Sequence, residues 1–108
     1  MSSTVQSSQT ASLSGGYRIE MLSGDNWLPW KRRMLAILRD SDLEVYVAAI
    51  EEAALQDWKS GDSKTRTRIE LAVGDSEMVH LSGAKTAREM WEQLTQIKEA
   101  RGRSGILA

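Results

Sequence analysis

The chain has 108 residues, 41% of them hydrophobic, and its 14 basic and 15 acidic side chains leave a formal net charge of -1. This length permits one small domain with a single core, and so balanced a charge excludes the broad positive field of a dedicated nucleic-acid-binding domain. Cysteine is absent, which excludes disulfides and thiolate metal sites and agrees with a reducing compartment, so we expect a cytoplasmic protein.

Residues 1–16 are rich in Ser, Thr, Gln and Gly. Too little apolar surface is available there to offset the entropy of ordering, which predicts a disordered tail. This tail lacks the basic start and apolar centre of a signal peptide. No apolar run in the chain approaches the ~18 to 20 residues that span a bilayer, so no membrane partner is expected.

The segment from Tyr17 to Met21 alternates apolar and polar residues, which predicts a short extended segment with one buried face. A Ser-Gly pair ends it. Asp25 or Asn26 is expected to cap the first predicted helix, which runs to about Arg39. The apolar side chains of this helix recur every three or four residues and therefore share one face: Trp27, Trp30, Met34, Ile37 and Leu38.

A second apolar element begins at Leu43 and extends through Ile50. A helix is favoured for it because residues 48–55 continue the pattern. Trp58 ends this region. The run Ser60-Gly61-Asp62-Ser63 is interpreted as a helix stop followed by a new cap, since glycine interrupts helices and Ser or Asp begins them.

The helix that follows is predicted to reach Leu81. A broad buried arc lies along it: Ile69, Ala72, Val73, Met78 and Val79. Gly74 inside a helix costs about 1 kcal/mol relative to alanine. Its presence therefore indicates a bend or a close helix contact.

The last predicted helix begins with a capping box, Thr86 to Glu89, in which the hydroxyl and the carboxylate each accept from an otherwise unpaired N–H. One apolar stripe follows: Ala87, Met90, Trp91, Leu94 and Ile97. Residues 101–105 are expected to end it, and 106–108 to open a further apolar helix. Taken together, the elements predict an all-α fold, a small bundle of four or five helices spanning residues 17–100, with 101–108 as a linker or the start of a second lobe.

No residue set carries the signature of catalysis. His80 is the single histidine, whereas a zinc site needs several convergent ligands and a triad needs a nucleophile beside its base. Glu51 and Glu52 are adjacent, so their side chains diverge on a helix, unlike the paired carboxylates of a hydrolase. The glycines form no phosphate-binding motif, and Asp25-Asn26 lacks the later ligands of a calcium loop. We therefore predict no enzymatic activity, no metal and no cofactor.

Two basic clusters leave nucleic-acid contact open: Lys31-Arg32-Arg33 and Lys64/Arg66/Arg68. A helix that presents basic residues could contact phosphates, but acidic side chains lie nearby in the sequence, and ordinary solubility explains these clusters equally. The tryptophans, at helical spacing, are expected in the core first. One of them could instead line a groove for a peptide.

Three blocks that contain tryptophan recur at wide spacing. The first, Leu22 to Trp30, has the pattern Leu-x-Gly-x-Asn-Trp-x-x-Trp, which Met34 and Leu38 continue. The second pairs Trp58 with Asp62. The third has the pattern Thr-Ala-x-Glu-x-Trp-x-x-Leu, formed by Thr86, Ala87, Glu89, Trp91 and Leu94.

In this order, over roughly residues 17–98, the blocks resemble the amino-terminal half of the Gag protein of copia-type LTR retrotransposons. Thr65 and Thr67 depart from the resemblance, since small or apolar residues are more usual there. The resemblance implies the N-terminal lobe of a capsid-like domain, either from a truncated Gag or from a host gene derived from one. Such a lobe is an all-helical structural module whose partners are other Gag lobes in a particle shell, with RNA contacted weakly or indirectly.

Two alternatives stay open beside this hypothesis: a Gag-derived helical adaptor that binds short peptides or proteins, and an RNA-binding helical domain. Under all three, the expected structural core is the same: Trp27, Trp30, Met34, Leu38, Trp58, Ile69, Trp91 and Leu94. For the adaptor, the candidate partner-binding residues are Tyr17, Ile19 and Met21. Their segment would cover a groove or leave an edge to which a partner strand could add.

Overall fold

A computed structural model of the chain describes residues 9–48 and 57–107. In these residues a small sheet precedes the helices, in the order β1 (Thr10–Leu13), β2 (Tyr17–Glu20), α1 (Trp27–Asp40), a first 3-10 helix (Glu44–Tyr46), α2 (Trp58–Leu71), a second 3-10 helix (Asp75–Leu81) and α3 (Ala87–Leu107). The described part is therefore mainly helical with one two-stranded sheet. No helix in it is long and apolar enough to cross a membrane.

The two strands form an antiparallel hairpin in which Ala11 lies opposite Ile19 and Leu13 lies opposite Tyr17. Ala11, Leu13 and Ile19 are buried in the core. The hairpin loop carries two glycines with positive φ, Gly15 at 90° and Gly16 at 83°, a conformation that side chains with a Cβ rarely adopt.

This hairpin corrects the predicted disordered tail for residues 9–16. Strand β1 forms because β2 supplies its hydrogen-bonding partners and because two alternate side chains, Ala11 and Leu13, are buried in the core. The sequence did not indicate this strand, since two apolar residues in a Ser-rich segment are too short a pattern to recognise. The hairpin also makes the fold mainly α rather than all-α. The remainder of the predicted tail, residues 1–8, lies outside the described residues.

Helix α1 has the predicted limits within one residue, and Asn26 occupies its N-cap position, one of the two that were predicted. The Asn26 side chain makes no capping hydrogen bond. Its Oδ1 accepts from the Ser23 N–H at 2.8 Å and its Nδ2 donates to the Met21 carbonyl at 3.0 Å. Asn26 therefore holds the loop between β2 and α1, while its carbonyl accepts the first helical bond, from Trp30 at 2.9 Å.

Helix α2 begins at Trp58, after Asp57 in the left-handed conformation (φ 50°). Ser60 and Gly61 thus lie inside a helix, and the predicted stop there is wrong. Gly61 is required by packing instead, because a Cβ at this position would overlap the ring of Tyr46. The helix predicted from Leu43 onward is a 3-10 turn over 44–46, and its continuation over 49–56 lies outside the described residues.

The helix predicted to reach Leu81 is divided in two, and Gly74 stands at the division. Extended backbone here forms a parallel bridge between Leu22 and Val73. The Leu22 N–H donates to the Ala72 carbonyl at 2.8 Å, and the Gly74 N–H donates to the Leu22 carbonyl at 2.9 Å. The close approach predicted at Gly74 is present, although its partner is the loop before α1 rather than a helix.

We expect Gly74→Ala to lower the free energy of unfolding by about 1 to 3 kcal/mol, the usual cost of overpacking. An added Cβ would lie 2.8 Å from the Leu22 carbonyl oxygen, and this oxygen belongs to backbone that cannot rotate away. Urea unfolding followed by circular dichroism measures the change. Gly24→Ala is the control, since its Cβ would meet nothing within 4 Å; a neutral result at both positions would show that the bridge adjusts freely.

Helix α3 carries the predicted capping box. The Thr86 hydroxyl accepts from the Glu89 N–H at 3.1 Å. The Glu89 carboxylate accepts from the Lys85 N–H at 2.6 Å, one residue earlier than in the standard arrangement. The N-terminus of α3 is thereby fixed, and four residues of its apolar stripe are buried in the core: Ala87, Met90, Trp91 and Leu94. The predicted end at residues 101–105 is wrong, because α3 continues to Leu107.

Candidate functional site

Three indoles meet at the centre of the domain: Trp27 and Trp30 from α1, and Trp91 from α3. Ring centroids are 5.8 Å apart for Trp27 and Trp30, 5.7 Å for Trp30 and Trp91, and 6.1 Å for Trp27 and Trp91. Trp30 is 1% exposed, and its Nε1–H donates to the Ala72 carbonyl at 2.9 Å, which satisfies the polar end of a buried indole. This tryptophan cluster joins the first and third sequence blocks.

The other five expected core residues differ in how deeply they are buried. Four of them are buried: Met34, Leu38, Ile69 and Leu94. Trp58 is only half-buried at the first position of α2. It is less buried than the other three tryptophans, since side chains cover a residue at the end of a helix on only part of its surface.

Asp62 connects the second block to the third. Its side chain is buried, its Oδ1 accepts from the Ala87 N–H at 2.8 Å, and its Oδ2 accepts from Arg66 Nε at 2.8 Å. Ala87 is the first residue of α3, where the N–H has no partner within the helix and the helix dipole favours a negative charge. Asp62 was expected to begin its own helix; it lies inside α2 and caps a different one.

Removal of the Asp62 carboxylate should cost about 1.5 to 3 kcal/mol, because a charge-assisted hydrogen bond is lost and a buried N–H is left unpaired. We expect this for Asp62→Ala in urea unfolding. Arg66→Ala separates the cap from the ion pair. Asp62 keeps its hydrogen bond to the Ala87 N–H and the Arg66 side chain is 42% exposed, so water can replace the guanidinium and the loss should be smaller than that of Asp62→Ala. Equal losses for the two variants would place the energy in the ion pair rather than in the cap.

A buried ion pair ties α3 to the second 3-10 helix. Lys98 Nζ lies 2.5 Å from Glu77 Oε1 and donates to the Ser23 carbonyl at 3.1 Å. Lys98 is 7% exposed and Glu77 5%. The sequence prediction missed both residues, yet the spacing gave a signal, because Lys98 follows Trp91 by seven positions on the buried stripe of α3.

His80 is the neighbour of this pair, with Nε2 3.6 Å from Glu77 Oε1. Its backbone carbonyl accepts from Gln93 Nε2 at 2.8 Å, which further connects α3 to the 3-10 helix. Over residues 9–48 and 57–107 no group of three or more His, Asp or Glu side chains is placed to hold a metal ion.

Two of the candidate partner-binding residues, Tyr17 and Ile19, lie in β2, and Met21 directly follows it. Ile19 is 2% exposed and belongs to the core, so its assignment as a partner contact is corrected. Tyr17 and Met21 are partly buried against the core, and the Tyr17 hydroxyl donates to the Asp40 carboxylate. Strand β1 pairs along one edge of β2, so at this edge the chain itself supplies the neighbouring strand.

The first basic cluster is only partly free for a partner. Lys31 Nζ lies 2.8 Å from Glu99 Oε2 and 5.6 Å from the centroid of the Trp27 ring, an arrangement that combines an ion pair with a cation–π contact. Arg32 and Arg33 are exposed.

The second basic cluster is also divided between internal contacts and exposure. Arg66 pairs with Asp62, and Arg68 Nη1 donates to the Ser14 carbonyl at 2.9 Å. Lys64 is exposed. Two of the three residues of the second cluster therefore make contacts within the domain, which leaves fewer cations free for RNA.

One exposed ion pair, between Arg39 and Glu44, shifts the pKa of the arginine. The Arg39 guanidinium donates from Nη2 to Glu44 Oε2 at 3.1 Å. This hydrogen bond, with the attraction of the same carboxylate, raises the pKa of Arg39 above its ordinary value. Because the pair is open to solvent, it contributes little to stability.

Comparison of the chain with protein-family models, with curated proteins and with solved structures gave no match. The geometry of the described residues and the three sequence blocks are therefore the grounds on which a function is proposed.

Proposed function

We propose that this domain is a structural self-association module of the kind found in the N-terminal lobe of a copia-type Gag capsid, where many copies build a particle shell. It acts without catalysis, metal or cofactor, and in the cytoplasm. Its partners are other copies of the lobe, and RNA is contacted only weakly. The bundle of four or five helices expected for such a lobe is part of this proposal.

The observation that carries the proposal is the convergence of all three tryptophan-containing blocks. The first and third blocks supply the tryptophan cluster, in which Trp30 and Trp91 lie 5.7 Å apart. The second block supplies Asp62, which caps the helix of the third through Ala87 at 2.8 Å. The residues on which the resemblance rests therefore form one core or fix the helices around it. This is expected if the three blocks specify the fold of such a lobe.

The weakness of the proposed association follows from burial. With Trp27, Trp30 and Trp91 in the core, the domain exposes few large apolar side chains in the described residues: Leu28, Val45, Leu71, Met78 and Val79. Interfaces below ~1,200 Å² typically give weak association. Weak contacts suit a shell, since many of them together can form and dissolve reversibly.

Sedimentation equilibrium of the purified chain, from about 10 µM to about 1 mM, tests the proposal. We expect a monomer or a weak dimer at the lower end and reversible association at the upper end. Electron microscopy in a crowding agent then reports ordered assemblies. A tight dimer at every concentration, or a strict monomer without assemblies under crowding, would contradict the proposal; a steep salt-dependent affinity for oligouridylate would favour the RNA-binding alternative.

A further inference from the structure

A basic cleft of about 390 Å³ lies between the end of β1 and one side of α2. The lining residues from α2 are Ser63, Lys64, Thr67, Arg68 and Leu71, and no acidic side chain of the described residues lines it. We call this feature the β1–α2 cleft.

The chemistry of this cleft selects an acidic partner with an apolar side chain. Lys64 is exposed and makes no ion pair with any residue that the structure describes. Arg68 is held in place by its hydrogen bond to the Ser14 carbonyl at 2.9 Å. Leu71, at the end of the same helical face, is 53% exposed. A partner that fits the cleft would place a carboxylate beside Lys64, where it neutralises the charge, and an aliphatic side chain against Leu71.

The second 3-10 helix offers this combination. Asp75 is exposed and is without an ion pair to the described residues, while Met78 and Val79 are 36% and 66% exposed. Side chains three residues apart eclipse in a 3-10 helix, so Asp75 and Met78 lie on one side of it. Glu77 is directed inward to Lys98, which holds the helix against α3 and leaves the acidic and apolar side outward.

The other exposed apolar residues of the described chain fit the cleft less well. Leu28 lies one turn before Lys31 and Arg32 on α1, and these cations would repel Lys64 and Arg68. Val45 adjoins Glu44, whose carboxylate is already bound by Arg39. Among the described residues, the second 3-10 helix thus has the best charge complementarity to the cleft.

We propose that the β1–α2 cleft of one copy of this chain binds the second 3-10 helix of another copy, with Asp75 beside Lys64 and with Met78 against Leu71. The contact joins two different surfaces. Each copy carries both a cleft and a 3-10 helix, so a pair still has one free surface of each kind and association can continue. This inference rests on the proposed self-association and names the surfaces that carry it.

A charge exchange between the two surfaces tests the contact. Lys64→Glu and Asp75→Lys each place like charges across it, and each should weaken self-association by about tenfold or more in sedimentation equilibrium. In an equimolar mixture, every contact between unlike variants joins opposite charges, and in the double variant every contact does. Both should recover association close to that of the unsubstituted chain.

Lys59→Glu is the matched control, because Lys59 is an exposed cation of α2 that does not line the cleft; it should leave association unchanged. Circular dichroism and thermal unfolding establish that each variant is folded. In the unsubstituted chain, amide NMR signals of Lys64, Thr67 and Val79 should shift with protein concentration, which reports the contact without any substitution.

The outcomes separate this inference from the proposed function. Association that is unaffected by Lys64→Glu and Asp75→Lys, or that stays weak in their mixture, would overturn the inference and leave self-association standing. Absence of association up to about 1 mM would overturn both. Shifts of the cleft signals by oligouridylate at submillimolar concentration would assign the cleft to nucleic acid and overturn the proposed contact.

Discussion

Replacing Trp30 by alanine is expected to lower the free energy of unfolding by about 3 to 5 kcal/mol, the range measured for large aromatic truncations in cores. Trp30 is 1% exposed and lies between Trp27 and Trp91, with ring centroids at 5.8 and 5.7 Å. Its removal would open a cavity between α1 and α3. It would also leave the Ala72 carbonyl without the indole N–H, at the junction where Gly74 bonds to Leu22. Native domains are stable by about 5 to 15 kcal/mol, so this variant should lose a large fraction of its stability and unfold at a much lower urea concentration.

Trp58→Ala provides the comparison for the same chemical change. Trp58 is half-buried at the start of α2, so less area leaves a solvent-protected environment and the cost should be well below that of Trp30→Ala. Urea unfolding of both variants, followed by circular dichroism at the helix band, gives the two free energies. Equal costs would mean that the tryptophan cluster is not the centre of the core.

Helices α1 and α3 could be predicted from the sequence because their signals are local. In α1, apolar residues at three- and four-residue intervals from Trp27 to Leu38 decide which face is buried. In α3, the Thr86 hydroxyl and the Glu89 carboxylate form hydrogen bonds within a few residues of themselves. Periodicity and capping need no knowledge of the rest of the chain, and the structure agrees with both.

The features that sequence reasoning missed depend on partners distant along the chain. The Ser60-Gly61 pair has the composition of a helix stop, but Gly61 lies within α2 because the ring of Tyr46 packs over it. Strand β1 contains two buried apolar residues and depends on β2 for its hydrogen bonds. Asp62 acts on Ala87, 25 residues later. In each case a tertiary contact overrides the local propensity, which a single sequence does not reveal.

The buried ion pair shows a different reason for a missed prediction. Lys98 stands on the stripe of α3 that contains Trp91 and Leu94, so its spacing indicated burial, but a charged residue is expected to be solvated unless it is paired. Its partner Glu77 is 21 positions earlier, within a segment predicted as regular α-helix. In the structure that segment is a 3-10 helix, in which Glu77 is directed inward to Lys98.

Lys98→Met should destabilise the domain by about 3 to 5 kcal/mol, because it leaves the Glu77 carboxylate buried without its cation. The side chains of Lys98 and Glu77 are 3% and 7% exposed, so water cannot replace the lost partner, and His80 at 3.6 Å is too distant for a full hydrogen bond. The Ser23 carbonyl also loses its donor. We expect the loss in urea unfolding, together with faster amide exchange in the second 3-10 helix, which Lys98 holds against α3.

The double variant Glu77→Leu/Lys98→Met distinguishes a costly unpaired charge from a loss of packing. Replacing both members of a buried pair by apolar residues is often neutral, so the double variant should recover more than half of the stability lost by Lys98→Met. The exposed pair Arg88–Glu92, with side chains 46% and 51% exposed, is the matched control: Arg88→Met should cost less than about 1 kcal/mol. If the double variant were as unstable as Lys98→Met, the unpaired carboxylate would not be the cause of the loss. The ion pair itself would then hold the 3-10 helix on α3, and the surface that presents Asp75 would depend on that pair.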